Sequence, residues 1–534
     1  MEATDGEAKG ENAVVDEEVQ MPKDATDGTM EGPERMALSG MKLQLLTLTL
    51  CLSLFLSLLD STIVSTALVH ITNSLGGFER SSWIVNTYLL TYTGTSDRQV
   101  NIVFRAFQGI GGAAMYTMVF VMLPEMCTPD QYTLYSTIIS CVATMSSLLG
   151  PIFGGLISQR TSWRWIFWLK WVSLQSYDNP QLTFYSVPTG IFCLMLLYIA
   201  VPAHFPYAKP SEAPKISRTA LQKVDIMGTL ILLAATTLLL TALEESGTGH
   251  AWTSAIVLAP LISGVALYIT FVAWSKIQAT RTTDQEPLVP WHILTDRFCL
   301  GLFASAFWMG AMLFSLTVTL PQRFQVVDRS SALSAGYRLL PVTLVDPLGS
   351  AVGAYFMTSM HVPPFYLLLI GTAIQTLGVG LMIMRPSNLL SFPASKYGFE
   401  AITGFGLGIT SAIAVLAATV FFKPKDLSVG MGGVGQFRSL GGAIGVAISV
   451  NILNRYTTDE LSGTLSVEQM GAIKLSAEAV GTFPEPIQKL VREAYARGFG
   501  WQAVAMTGFG GMGVLMMGLM VERKMRKLLN SKAA

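Results

Sequence analysis

Charge is scarce in this chain. Only 13% of its 534 residues are Asp, Glu, Lys or Arg, about half of the ~25% with which a soluble domain covers itself in water. The charges also cancel, 35 basic against 35 acidic, which excludes a basic footprint for nucleic acid. Histidine is rarer still: His70, His204, His250, His292 and His361 are scattered without metal-ligand spacing. No nucleophile motif or phosphate-binding glycine loop occurs, so neither a metal, a cofactor nor enzymatic catalysis is expected. The five cysteines (Cys51, Cys127, Cys141, Cys193 and Cys299) form no CxxC pair and lie in or beside apolar segments. They read as small packing residues and not as a disulfide framework. Asn-x-Ser/Thr acceptors are absent.

What is abundant is apolar surface: 51% of residues are hydrophobic and the mean hydropathy is +0.48. Runs of about 20 apolar residues, the length that crosses a bilayer, fall at 43–68, 102–124, 134–157, 183–202, 226–243, 254–274, 298–320, 337–358, 364–384, 397–421, 429–453 and 499–521. The chain is therefore expected to be an all-α polytopic membrane protein with about twelve full spans. A shorter apolar piece, Trp83–Gly94, is too brief to cross.

Flanking charge gives the orientation. The loop 203–224 carries Lys209, Lys215, Arg218 and Lys223 against Glu212, and the tail carries Arg523, Lys524, Arg526, Lys527 and Lys532 against Glu522. Lys423 and Lys425 mark another basic loop, whereas Glu244 and Glu245 follow the span ending at 243. Both termini are thus expected in the cytoplasm. Residues 1–40 form an acidic tail without a signal-peptide pattern, with eleven Asp/Glu among the first 35 residues, and are expected to be disordered. The remaining organisation is an N-terminal bundle over 41–202, a linker with two central spans over 203–275, a C-terminal bundle over 276–453, an extramembrane loop over 454–498, and a last span with a basic tail over 499–534.

Polar groups inside apolar spans are functional candidates because burying them is costly. Asp60 lies in the first span. Arg105 cannot lose its charge and needs a partner or water, with Gln108 one turn on. Gln436 and Arg438, on a Gly-rich helix, form a counterpart in the distal half. Asp346 falls in a helix expected to break at Pro341 and Pro347. Asp225 and Glu400 sit at span starts, where a carboxylate caps a helix N-terminus. Gly150, Pro151, Gly154 and Gly155 allow close helix approach and bend their own helix. Trp83, Trp308, Phe314 and Tyr268 are packing or interfacial aromatics before they are cavity walls.

In order along the chain, these strings resemble a family. Leu59-Asp60-Ser61-Thr62-Ile63-Val64-Ser65-Thr66-Ala67-Leu68 resembles the first-span signature of the major facilitator superfamily, in its fungal drug:proton antiporter branch with fourteen spans. Arg105 to Gly112 resembles the fourth-span motif, whose arginine that family links to proton transfer. Ser146 to Gly155 resembles the antiporter motif, with Ser146 where glycine is usual. Trp163 to Phe167, Leu320 to Gln325 with Gly336 and Leu339-Leu340-Pro341, and Gln436 to Gly445 match the rest. The resemblance implies a major facilitator fold: two pseudo-symmetric bundles plus two central helices, working by alternating access. It also implies proton-driven efflux of small, largely apolar organic compounds (a drug, toxin or secondary metabolite) by a monomer in the lipid bilayer, at the plasma membrane ahead of the vacuolar one. A vacuolar basic amino acid or siderophore carrier is the alternative within the superfamily, and a transport-inactive degenerate protein the alternative outside it.

Two departures stand out. The widespread Gly-x-x-x-Asp-Arg-x-Gly-Arg type loop after the second span is missing. The chain runs from Thr91 through Arg98 almost directly into Arg105, so the second and third spans, roughly fifty residues at ~20 per helix, are lost. Secondly, the polar stretch Lys170–Ser186 interrupts an apolar helix. Its codons can hold an intron start (GTGGGT), a branch point and an end, and its removal leaves a single asparagine before Val187-Pro188. It reads as translated intron, and the gap near residue 95 as a second gene-model error. Sequencing the transcript across both places tests this, since an abundant message retaining the insert would refute it.

Overall fold

The computed structural model describes residues 38–75, 129–160, 195–201, 223–247, 250–281, 287–384, 389–423 and 426–522, with isolated positions between 115 and 126 and at 285. Its regular structure is helical. Among the described residues, ten helical stretches are long and apolar enough to cross a membrane. They coincide with ten of the twelve expected spans. The other two, 102–124 and 183–202, fall largely outside the described residues, as do the acidic tail, the insert 170–186, the junction near residue 95 and the basic tail after 522.

In the proximal half, α1 (Gly40–Leu75) packs along α2 (Pro129–Arg160). A helical hairpin follows, α3 (Ile226–Gly247) and α4 (Ala255–Thr280). The Asp225 carboxylate ties it together by accepting from Gly228 N at 2.8 Å and from Trp274 Nε1 at 3.0 Å, the helix-capping role expected of it. Only 22% of the α3 span and 17% of the α4 span is buried, against 67% and 72% for the most enclosed helices. An apolar helix that is so little covered by protein must face lipid. One end of the hairpin rests on the distal half, where Asn451 Nδ2 donates to Leu243 O at 2.6 Å.

The distal half begins with the short α5 (Trp291–Thr295) and α6 (Arg297–Val326), whose first turn is capped by Asp296 accepting from Phe298 N. It continues through α7 (Ala332–Arg338), α8 (Leu340–Thr358), α9 (Pro364–Met382), α10 (Ala394–Phe421), α11 (Leu427–Leu461), α12 (Val467–Leu475) and α13 (Glu485–Met516). The dominant pairings are α8 with α10 and α6 with α11. Both are glycine crossings. At Gly404 and Gly408 of α10 a Cβ would strike the Val342 and Asp346 carbonyls of α8, and at Gly441 of α11 it would strike the Phe307 carbonyl of α6. In a bilayer such close backbone approach replaces the hydrophobic effect as the force between helices.

Three expectations change. Of the two breaks expected around Asp346, the one at Pro341 is present, since α7 ends at Arg338 and α8 starts at Leu340 with Pro341 in its first turn, whereas α8 runs unbroken through Pro347, which omits only one hydrogen bond. Glu400 does not cap its helix: α10 starts at Ala394 behind Pro393, so Glu400 lies more than a turn inside. The helices flanking the extramembrane loop run on to Leu461 and back to Glu485, leaving the capped α12 between them.

Candidate functional site

Gly150, Pro151, Gly154 and Gly155 sit on consecutive turns of α2, and the fold gives them two different faces. Gly150 and Gly154 face α1. A Cβ on Gly150 would overlap the Thr62 side chain, and one on Gly154 would strike the Ile63 carbonyl. Hydroxyls stitch the same crossing. Ser146 Oγ donates to Phe55 O at 2.6 Å, and Thr66 Oγ1 donates to Pro151 O at 2.9 Å. Gly155 faces the other half of the molecule: an added Cβ would lie 2.6 Å from Ala332 O and 2.7 Å from Leu333 Cα. In return, Gly336 of α7 meets the Pro151 carbonyl, 2.7 Å from where its own Cβ would stand. A hydrogen bond crosses between the halves one helix over, from Gln325 Nε2 to Thr66 O at 3.1 Å. The two halves therefore close on each other at this end through glycines, bare carbonyls and one amide.

Immediately inward lies a cavity of about 130 Å³ between the halves. Leu58 and Thr62 of α1 and Ser147 and Pro151 of α2 form one wall, and Asp346 of α8 and Arg438 of α11 belong to the other. The rest is largely apolar, including Phe314 and Leu407. It thus combines an apolar wall with a few convergent polar groups, the usual make-up of a small-molecule site, though it is smaller than the ~300 Å³ at which such sites begin.

A second polar cluster lies in the distal half, around the last turn of α6 and the first turns of α10. Asp328 accepts from Arg338 at 2.7 Å and faces Arg323 at 3.5 Å. Burial pushes the Asp328 carboxyl above its ordinary value, against the opposing pull of both guanidinium groups. Nearby, Glu400 is fully buried and neither of its oxygens has a hydrogen-bond partner.

Of the residues singled out from sequence, Gly150, Pro151, Gly154 and Gly155 come together with α1 and α7 as one junction. Arg438 lines the central cavity together with Asp346. Gln436, two positions earlier and so roughly 200° around the helix, is exposed and is not part of that wall. Asp60 lies on α1, with its side chain outside the described residues; Arg105 and Gln108 lie outside them altogether. Thr66 and Gln325 were not singled out individually, although both stand inside the family-like strings, and Gly336 was named there without a partner. Among the described residues, no group of three His, Cys, Asp or Glu side chains is placed to hold a metal ion.

Comparison with known proteins agrees with this architecture. The Major Facilitator Superfamily pattern matches residues 95–170. The chain is 35% identical to the MFS-type transporter FPY5 of Fusarium mangiferae, over 92% of its own length and 85% of the relative's. It is 26% identical to the aspyridones efflux protein of Neocamarosporium betae, over 86% of this chain and 82% of that one. Among solved structures, it resembles a bacterial homolog of the human lysosomal transporter Spinster in an inward-facing and unoccupied conformation. There the TM-score is 0.53 at 12% identity, over 90% of this chain and 98% of that one.

Proposed function

The chain belongs to the major facilitator superfamily, and from that footing we propose that it exports small, largely apolar organic compounds, driven by inward movement of protons. It is an integral, multi-pass membrane protein whose relatives are fungal transporters, and transporters of this kind carry small organic substrates. The finer reading is that the carrier works by alternating access and that the junction of Gly150, Pro151, Gly154 and Gly155 with α1 and α7 is its outer closure. The single observation that carries it is the cavity between the halves, with Asp346 and Arg438 in one wall, sealed at one end by contacts that involve little more than backbone. Such a seal can part without leaving charged groups stranded, which is what a repeatedly opened gate needs.

The positive-inside bias puts the loops 203–224 and 422–428 in the cytoplasm, so the closed end faces away from it and both termini face inward. Asp60 and Arg105 are the proton-coupling candidates in the proximal half, with Gln108 three positions after Arg105 in the sequence, and Arg438 with Gln436 in the distal half. A secondary metabolite is the substrate class the relatives favour. The plasma membrane is the expected site, and the carrier works as a monomer in the bilayer.

The test is dye export from cells stripped of their own efflux pumps, followed in the presence and absence of a protonophore. Export that stops with the protonophore and is lost in Arg438→Ala is the expected result. Export that survives the protonophore would remove the proton from the reading, and no export with any apolar probe would favour a repurposed scaffold.

A further inference from the structure

A larger cavity, about 260 Å³, lies wholly within the distal half between α6, α9, α10 and α13. It is separate from the space between the halves and is not needed for export. Most of its wall is apolar: Leu320, Met382, Phe499, Trp501 and Met506 contribute. Three cations interrupt that wall: Arg497, which is paired with Glu460 at 2.8 Å, and Arg323 and Lys396, each less than one-tenth exposed. Burying a cation is tolerated only when it is paired or hydrogen-bonded. For Arg323 and Lys396 the pairing is thin. Among the described residues Lys396 has no carboxylate within ion-pair distance, and its ammonium donates to Met382 O at 2.8 Å. Arg323 shares Asp328 with Arg338, which holds the carboxylate at the shorter distance. Phe392 stands between these two cations, 4.8 Å from the Arg323 guanidinium and 5.8 Å from the Lys396 ammonium. Counting Asp328, the nearby buried Glu400 and the Glu460 that pairs Arg497 against Arg323, Arg338, Lys396 and Arg497, one positive charge is left over around an apolar cavity, and Lys396 is the cation without an ion-pair partner among the described residues.

The open side identifies the neighbour. Trp501 and Val504 of α13 and Met384 after α9 line the cavity and are among the exposed large side chains of the molecule. On a membrane-spanning helix, exposed apolar side chains meet lipid, and a tryptophan there marks the interface with the head groups. A ligand entering from that side has an acyl chain against α13 and its head group against Lys396 and Arg323. By the orientation given above this pocket opens to the non-cytoplasmic leaflet, and a phosphate there would be held by charge-assisted bonds from the ammonium and guanidinium.

We propose that this cavity is a binding site for an anionic membrane phospholipid, whose phosphate is held by Lys396 and Arg323 and whose first chain segment lies along α13 between Phe499 and Met506. It is a site for a resident lipid, distinct from the transport path, and stands or falls independently of the export reading.

Native mass spectrometry of the detergent-purified full chain tests it, with phosphatidylglycerol, phosphatidylcholine and oleate as separate probes. Phosphatidylglycerol is expected to remain bound where phosphatidylcholine does not, and its binding should weaken about tenfold in Lys396→Met, the loss of one charge-assisted contact. Gly500→Leu supplies an independent arm. Gly500 lines the cavity and an added Cβ meets nothing within 4 Å, so this variant fills the space while leaving Arg323, Lys396 and the packing intact. It should weaken binding as much, with an unchanged melting temperature. Equal binding of phosphatidylglycerol and phosphatidylcholine would overturn the proposal. So would undiminished phosphatidylglycerol binding in Gly500→Leu, or retention of oleate alone, which would assign the cavity to a free acid.

Discussion

The two halves build the same crossing from different materials. In the distal half, α11 lies across α6 with Gly441 on the Phe307 carbonyl and Gly445 on Ala311. The hydroxyls nearby, Ser305 and Ser439, bond back into their own helices, and the Phe303 and Phe437 rings stack at 4.8 Å alongside. In the proximal half, α2 lies across α1 through Gly150 and Gly154, but the hydroxyls reach over: Ser146 to Phe55 O and Thr66 to Pro151 O. Pro151 also removes one hydrogen bond from α2 itself. One crossing is close-packed and stiff. The other is held by hydroxyl bonds across the crossing, beside a weakened turn; both reach the opposite half, the distal one through Val318, Val446 and Val450 against Leu68 and the proximal one through Gly155 and Pro151 against α7. The two bundles therefore solve the same crossing with different chemistry.

The largest effect expected from breaking this arrangement is at the stiff crossing. Gly441→Ala drives a Cβ into backbone that cannot move aside, and should destabilise by about 3 kcal/mol, the upper range of overpacking. Size-exclusion chromatography after heating should then show loss of the monodisperse peak. Gly150→Ala and Gly154→Ala should each cost about 1–3 kcal/mol, and they separate by rescue. The obstacle to Gly150 is the Thr62 side chain, whereas that to Gly154 includes the Ile63 backbone. Thr62→Ala removes the nearer Oγ1 and keeps the Cβ, so it is expected to restore part of the melting temperature of Gly150→Ala and none of that of Gly154→Ala. Equal rescue would mean that the proximal crossing is no tighter at one glycine than at the other.

Gly155→Ala sharpens the comparison differently, because its clash is with the other half. Its melting temperature should change little, while the closed population falls about tenfold, equivalent to ~1.4 kcal/mol. Spin labels at the exposed Gln159 and Tyr337 should report a longer distance, and an unchanged distance distribution would deny Gly155 a part in closure. Removal of one hydroxyl bond, in Thr66→Val, should cost about 0.5–1.5 kcal/mol. The smallest effect is expected at Glu400. Because its carboxylate makes no hydrogen bond, Glu400→Gln should leave stability within about 0.5 kcal/mol or raise it. A large loss of melting temperature would reveal an ion pair with Arg323 or Arg338.

Much of this was legible in the chain. Hydropathy located the ten spans described, since a helix in a bilayer is defined by its own twenty-odd residues and its own hydrogen bonds. The glycines at 150, 154 and 155 announced a close helix contact. Their division between two partners was not legible, because Gly154 and Gly155 are adjacent in sequence yet about 100° apart around α2. Thr66 and Gln325 escaped notice for a related reason: their bond joins residues 259 positions apart, and a hydroxyl or amide on an apolar helix has many more common local uses. Arg438 and Gln436 looked like a pair, but only Arg438 lines the cavity. Glu400 was misread because hydropathy begins a span at its first apolar residues, whereas α10 begins at the preceding proline.

Sequence by itself determined that this chain crosses a membrane many times, that glycine holds its helices together, and that a few polar groups lie inside them. These are local properties, fixed by the cost of exposing peptide groups or charge to hydrocarbon. Only the tertiary structure decided which glycine meets the opposite half and which packs within its own bundle, that Asp346 and Arg438 share a wall of one cavity, and that Lys396 and Arg323 border another. Those assignments depend on how helices are rotated against distant partners, a choice made by packing between surfaces that no single stretch of chain contains.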